Sequence, residues 1–233
     1  PGVLTTPRLL REDLDRITML DWLREKRQTS QAIERFWRQI LVSAINEELD
    51  RMAARFAKAE MRADISKLDA GDRKALAKLV EAARVYDHIY MDQLWSANRE
   101  LYERLKQDSS PLGQARLRYF WLNKGPWSDL DGHTAFLPGV PEKKPAGANF
   151  YPEDMTREEF EAWAKTQPAS AAGFFTVIRR DPQTKALKQV WYSEAYKSDL
   201  QRCAKLLREA AALTTNASLK KFLELRAAAF GAN

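Results

Sequence analysis

Residues 69–94 read DAGDRKALAKLVEAARVYDHIYMDQL. Leu76, Leu79, Val80, Ala83, Val85 and Ile89 recur there at the three- and four-residue intervals of an amphipathic helix. Asp69 is the expected N-cap, because its carboxylate can accept from an unpaired amide of the first turn, and Gly71 is expected to act as a breaker beside it. The spacing continues through Leu94, Leu101 and Leu105 and predicts one long helix. Ser110-Pro111 opens another, since proline at the first helical position loses nothing by lacking an amide hydrogen. Working back from residue 69, Leu14, Ile17 and Leu20, then Ile33, Phe36, Trp37, Ile40, Leu41, Ile45, Leu49, Met52 and Phe56, predict two helices broken near Arg27-Gln28-Thr29-Ser30. Ser30 is the expected cap of the second, with Glu34 favouring its positive dipole end.

Beyond Asn123 the texture changes. Pro126, Gly132, Pro138, Gly139, Pro141, Pro145 and Gly147 interrupt backbone pairing every few residues up to Pro152. Trp127, Phe136, Phe150 and Tyr151 in the same stretch predict an ordered loop, because rings gain free energy only when buried. Thr156-Arg157-Glu158-Glu159 is a capping box ahead of a short helix through Trp163. Gly173 to Arg180 and Lys188 to Ser193 are rich in β-branched and aromatic residues and predict a β-hairpin. Two amphipathic helices follow, roughly Glu194 to Leu213 and Asn216 to Phe230. The fold class is therefore mainly α with a small β-hairpin (α+β).

The 233 residues, 45% hydrophobic and 30% charged, exclude fibrous and wholly disordered classes. No apolar run reaches the roughly 20 residues of a membrane span, so no membrane partner is expected. The net charge of +6 is scattered along helical segments, which argues against nucleic acid as a partner. Cys203 is the single cysteine, so neither an intrachain disulfide nor a cysteine-based metal site is available. The start lacks an initiator methionine and the end is abrupt, which predicts a piece of something longer.

Catalytic chemistry is sparse. The two histidines, His88 and His133, are far apart, and neither has a second imidazole one helical turn away, as zinc hydrolases commonly do. A hydrogen-bonded structural imidazole is expected at His88 and a surface position at His133. Cys203 lies inside an apolar helical pattern, and no nucleophile elbow or glycine-rich phosphate cradle occurs. No catalytic residue and no metal ligand are assigned.

From about residue 58 to 230 the chain resembles the amino-terminal lobe of the dipeptidyl-peptidase III-like zinc metallopeptidases. Carrying the likeness are Asn123-Lys124-Gly125-Pro126-Trp127, Phe136-Leu137-Pro138-Gly139-Val140, Gly147-Ala148-Asn149-Phe150-Tyr151-Pro152, Gly173-Phe174-Phe175-Thr176-Val177 and Tyr192-Ser193-Glu194-Ala195-Tyr196. The resemblance implies a two-lobed exopeptidase removing dipeptides from peptide amino termini, with its zinc motif in the second lobe and absent here. No cofactor is thus expected in this chain, with zinc belonging to the complete parent family. Residues 1–54 resemble instead an internal helical stretch of bacterial hydroxysqualene dehydroxylases, through Asp15-Arg16-Ile17-Thr18, Asp21-Trp22-Leu23-Arg24 and Ile33-Glu34-Arg35-Phe36-Trp37. Two unrelated pieces are expected to meet between about Glu47 and Lys58, with the helical pattern running across the join.

A helix taken from another core should be imperfectly covered. Trp22, Phe36, Trp37 and Ile40 are therefore expected to be more exposed than Trp121 or Phe175. The leading function is an incomplete peptidase fragment supplying one wall of a peptide cleft, its partner a peptide substrate. Asn149 and Tyr151 are the candidate substrate contacts, because an amide and a phenol can pair with a peptide backbone from an apolar wall. The competing reading of those residues is that Phe150 and Tyr151 simply pin the loop. The alternatives are a non-catalytic helical interaction module and a fragment of an FAD-dependent dehydroxylase.

Overall fold

The computed structural model describes residues 17–232. Leu14, Asp15 and Arg16 of the amino-terminal readings lie outside the described residues. Helix α1 (Met19–Glu25) is capped by Thr18, whose hydroxyl accepts from the Asp21 amide at 3.1 Å. The break falls where expected, with Arg27 in the left-handed region at φ 56°. Thr29, and not Ser30, caps the next helix by accepting from the Ala32 amide at 3.1 Å, so Ser30 is the first residue of α2 (Ser30–Ala32). A π-turn over Ile33–Trp37 joins α2 to α3 (Arg38–Ala54). Helix α3 spans only part of the predicted join. It ends at Ala54, and irregular, mostly exposed backbone leads to Asp69.

Asp69 caps α4 (Ala70–Leu94) through the Asp72 amide at 2.7 Å. Gly71 is not a breaker but a first-turn residue. A Cβ there would stand 2.4 Å from the Leu213 carbonyl oxygen, so glycine lets the start of α4 close on the end of α10 (Lys197–Leu213). The two helices run antiparallel. Thr214 donates to Asp72 at 2.5 Å at one end, and the Cys203 thiol lies 3.6 Å from the Ala82 carbonyl midway. Ala75, Ala82, Ala204, Ala210 and Ala211 fill their interface with Val85 and Leu207, and α11 (Ala217–Ala229) adds Leu223 and Ala227. Small side chains allow the close approach that native packing density requires.

The predicted helix to Leu105 is two helices. Trp95 is extended at φ −164°, ending α4, and α5 (Asn98–Gln107) begins after a turn. Buried Asn98 makes the corner stable by donating from Nδ2 to the carbonyls of Met91 (3.1 Å) and Lys124 (2.8 Å). Those carbonyls sit at the ends of two helices, where backbone acceptors run short of internal partners, although the Met91 carbonyl also accepts from the Trp95 amide at 3.3 Å. Helix α6 (Pro111–Asn123) starts at the Ser110 cap, as predicted. Its Tyr119 and Ala115 meet Leu49, Met52, Ala53 and Phe56 from α3 and its end.

The outer stripe of the first helices is only partly uncovered. Phe36 and Ile40 are 57% and 45% exposed, but Trp22 and Trp37 are half-buried, and the Trp37 indole donates to Gln28 at 3.0 Å. Trp121 is 40% exposed and Phe175 is 74% exposed, more than any of the four. The expected order therefore fails for all four against Phe175, and for Trp22 and Trp37 against Trp121 as well. Phe175 is held at φ 46° where the chain enters the hairpin, and its carbonyl accepts from the Tyr192 amide at 2.7 Å. The backbone is fixed there while the ring is left on the surface.

The remaining elements are short. Strands β1 (Trp127–Ser128) and β2 (Thr134–Ala135) pair within the loop. Helices α7 (Arg157–Thr166) and α8 (Pro168–Ala171) lead to β3 (Thr176–Arg180) and β4 (Leu187–Trp191), an antiparallel hairpin in which Val177 faces Val190 and Ile178 faces Gln189. Its tip closes on itself, the Asp181 carboxylate accepting from the amides of Gln183 and Thr184, both at 3.0 Å. One turn, α9 (Tyr192–Ala195), connects β4 to α10. A mainly helical chain with a small hairpin is what the sequence pattern predicts.

Candidate functional site

The loop from Asn123 to Pro152 is ordered by its rings. Lys124 turns the chain out of α6 in the left-handed region, and Trp127 follows. The Trp127 indole donates to the Pro141 carbonyl at 2.8 Å, and its ring meets Trp95 edge to face at 5.5 Å. Phe136 packs on Tyr119 at 4.5 Å. Below them lies a polar brace. Arg55 donates to Tyr119 at 3.1 Å and to Asp131 at 2.5 and 2.8 Å, Tyr119 donates to Ser128 at 3.0 Å, and Ser128 donates to Asp131 at 2.6 Å. The Arg55 guanidinium holds the Asp131 carboxyl far below the usual carboxylate range.

Asn149 ties the far end of the loop to α4. Its side-chain nitrogen donates to the Asp92 carbonyl at 2.6 Å, its amide donates to the Gln93 carbonyl at 2.8 Å, and its own carbonyl accepts from Arg179 at 2.9 Å. Burial pushes the Arg179 guanidinium down from its ordinary value. The next residue extends the anchoring to the hairpin, for the Phe150 carbonyl accepts from the Ile178 amide at 2.8 Å. The loop thereby takes up one position on the outer edge of β3, where an extended ligand would otherwise pair.

Tyr151 faces a groove of about 380 Å³ lined by Gly147, Ala148, Phe150, Gly173, Thr176 and Ile178. Its ring is set by an edge contact with Phe160 at 5.5 Å and by Gly147, where a Cβ would come within 3.1 Å of the Tyr151 ring. Gly173 is equally constrained, since a Cβ there would lie 2.1 Å from the Gln189 amide nitrogen. Two candidate residues thus sit side by side in different roles. Tyr151 lines the groove, and Asn149 anchors the loop behind it.

Arg180 braces the hairpin from α7. Its guanidinium pairs with Glu159 at 2.7 and 2.8 Å and with Asp154 at 2.8 and 3.0 Å, which fastens the start of α7 to β3. Glu159 therefore gives both oxygens to Arg180, while the Thr156 hydroxyl keeps the predicted cap contact with the Glu159 amide at 3.1 Å. Both carboxyls are held below their ordinary values by Arg180. On the other side Arg99 joins Asp92 of α4, at 2.9 Å from its Nε, to buried Asp199 of α10 at 2.6 Å. Burial pushes the Asp92 carboxyl up, against the pull of Arg99.

Sequence reasoning missed these arginine braces, whose partners are distant in the chain. It also passed over the small residues Gly147, Ala148 and Gly173, although their clustering around aromatic residues signals close approach.

The donor set does not fit the zinc that the family resemblance implies. His133 is exposed and lies 2.9 Å from Asp129, and His88 is half-buried on α4. Among the described residues no group of three or more histidine, cysteine, aspartate or glutamate side chains could hold a metal ion. No helix among them is long and apolar enough to cross a membrane.

No protein-family profile matches the chain. Nudix hydrolase 3 of Arabidopsis thaliana is 32% identical to it over an alignment of 246 residues, which takes in 84% of this chain and 32% of that protein. Neither it nor the structural relatives below lend support to the dehydroxylase resemblance of residues 1–54. The structure of dipeptidyl-peptidase III from Corallococcus sp. strain EGB matches with a TM-score of 0.74 and 47% identity, covering 81% of this chain and 35% of that one. DPP III from Caldithrix abyssi gives 0.71 and 46%, covering 78% and 34%. The chain spans about a third of the length of these relatives and is similar over about four-fifths of its own to dipeptidyl-peptidase III proteins.

Proposed function

We propose that this chain forms one wall of the peptide cleft in a dipeptidyl-peptidase III-like exopeptidase, the catalytic zinc being held elsewhere in such an enzyme. The observation that carries this reading is identity of 47% and 46% to two dipeptidyl-peptidase III structures of matching fold. Residues 58–233 are then the amino-terminal lobe, and residues 1–54 a helical segment of separate origin joined to it between about 47 and 58. Peptide backbone lies along the small-residue groove, where the Tyr151 phenol is the substrate contact. Asn149 anchors the loop that carries Tyr151, and its carboxamide oxygen is the second contact, accepting from a peptide amide.

A dipeptidyl-naphthylamide assay with added zinc tests the reading. This chain alone gives no turnover. A hybrid in which it replaces the matching third of the Corallococcus enzyme cleaves the substrate, and Tyr151→Phe in that hybrid raises KM severalfold with a smaller change in kcat. A hybrid that is folded by circular dichroism and inert refutes the proposal.

The exposed row Met19, Leu20, Phe36, Ile40 and Ile45 favours a second reading, a helical interaction module at the amino end. Binding of an amphipathic helix that is lost in Phe36→Asp supports it, and binding unaffected by that change removes it.

A further inference from the structure

From Ser30 to Ala54 the chain is one continuous helical run, α2, the π-turn and α3, and its two sides differ. Ile33, Trp37, Leu41 and Leu49 are buried or half-buried, whereas Phe36, Ile40, Ser43, Ala44 and Glu47 stay exposed along the other side. The exposed face is not loose. The Phe36 ring stands edge to face on Trp37 at 5.3 Å, and Trp37 is tied in turn to Gln28. A ring held this way has little freedom left to lose, and its hydrophobic gain comes only when it is covered. Charge pairing singles out the same face. Glu34 pairs with Arg38, Glu48 with Arg51 and Asp50 with Arg118, each at 2.6 Å. Arg35 and Glu47 are the charged residues of this run left without an ion-pair partner among the described residues.

We propose that this face seats a second copy of this chain, the two helical runs crossing antiparallel about a two-fold axis near residue 41, a proposal that rests on the second reading above, of the arm as an interaction module. Self-complementarity argues for this occupant. Arg35 and Glu47 stand at equal distances in sequence on either side of Leu41, about 18 Å apart along the helix. An antiparallel copy brings each Arg35 opposite Glu47 of the other, whereas a parallel copy sets arginine against arginine. The same operation lays each Phe36 ring over the small side chains of Ser43 and Ala44 in the other copy and brings the two Ile40 side chains together near the axis. A two-fold interface uses one patch twice, and each half of this patch supplies what the other lacks. One helix pair lies at the low end of interface sizes, so the association is weak, with a dissociation constant on the order of 10 μM.

Sedimentation equilibrium of this chain tests the proposal. A monomer–dimer equilibrium is expected, weakening as salt rises from about 0.05 M to about 0.5 M. Phe36→Asp is expected to abolish the dimer. Arg35→Glu and Glu47→Arg are each expected to weaken it at least about fivefold, because two-fold symmetry repeats every change. The double variant Arg35→Glu with Glu47→Arg is expected to return to within about twofold of the original. Both charged side chains are exposed and unpaired, so these variants decide the matter even if Phe36→Asp disturbs the arm. A chain that is monomeric at about 100 μM overturns the proposal. If that monomer still binds an added amphipathic helix through Phe36, the interaction module stands and only its partner is wrong, whereas no binding removes both. Dimers that survive Phe36→Asp overturn the proposal in favour of another face. Dimers weakened by the single charge changes and not restored by the double variant overturn the antiparallel pairing.

Discussion

Arg180 draws two carboxylates, those of Asp154 and Glu159, onto the end of β3. Asp154 and Glu159 titrate below their ordinary values of 3.8 and 4.5, so around those pH values the folded chain binds fewer protons than the unfolded one. Their stabilisation is complete above the ordinary values and is lost as pH falls through the lowered ones. Since both carboxyls reach solvent, the contribution is modest. Arg180→Gln is expected to flatten the acid limb of stability, followed by urea unfolding between about pH 5 and pH 2. An unchanged slope would show that these pairs carry no stability. Asn149→Ala removes one hydrogen bond to the Asp92 carbonyl while the backbone anchors remain, and is expected to cost about 1 kcal/mol. Local signals made some of this legible in advance. A threonine three residues before Glu159 announces a helix start whatever surrounds it, but nothing near Arg180 in sequence says that its guanidinium will claim the Glu159 carboxylate from 21 positions away.

Helices obey two kinds of instruction, and Gly71 separates them. Intrinsic propensity favours Gly71→Ala by about 1 kcal/mol. Contact opposes it, because the new methyl would meet the Leu213 carbonyl at 2.4 Å, backbone that cannot swing aside. Overpacking costs typically about 1–3 kcal/mol, so a net loss of stability is expected on thermal unfolding. A rise in Tm would mean that α4 and α10 can part at this end without penalty. The corner at Trp95–Ala97 was illegible for a related reason. Apolar spacing runs smoothly across it, and the asparagine that stabilises it works through the Lys124 carbonyl, 26 residues on. Periodicity reports which face is buried, not where a helix can afford to stop. Thr29 and Ser30 are chemically equivalent caps, so only the backbone could choose between them.

Truncation separates the arm from the body of the molecule. A chain beginning at residue 45 keeps Leu49, Met52 and Phe56 against Tyr119 and is expected to unfold like the whole. One beginning at residue 61 strips that cover and the Arg55 brace, and is expected to lose at least about 3 kcal/mol in denaturant unfolding. Equal stability of the two would place α3 outside the folded unit. The boundary matters because no break is legible there: Leu49 through Phe56 belong by pattern to the first helices and pack on Ala115 and Tyr119 of α6. The hairpin tip stands at the other extreme. Asp181 satisfies its own loop from within, and residues 182–186 are exposed. That self-sufficiency makes it a natural port for an inserted epitope or affinity handle, one through which the protein could be immobilised while the groove beside Tyr151 stays open to solution.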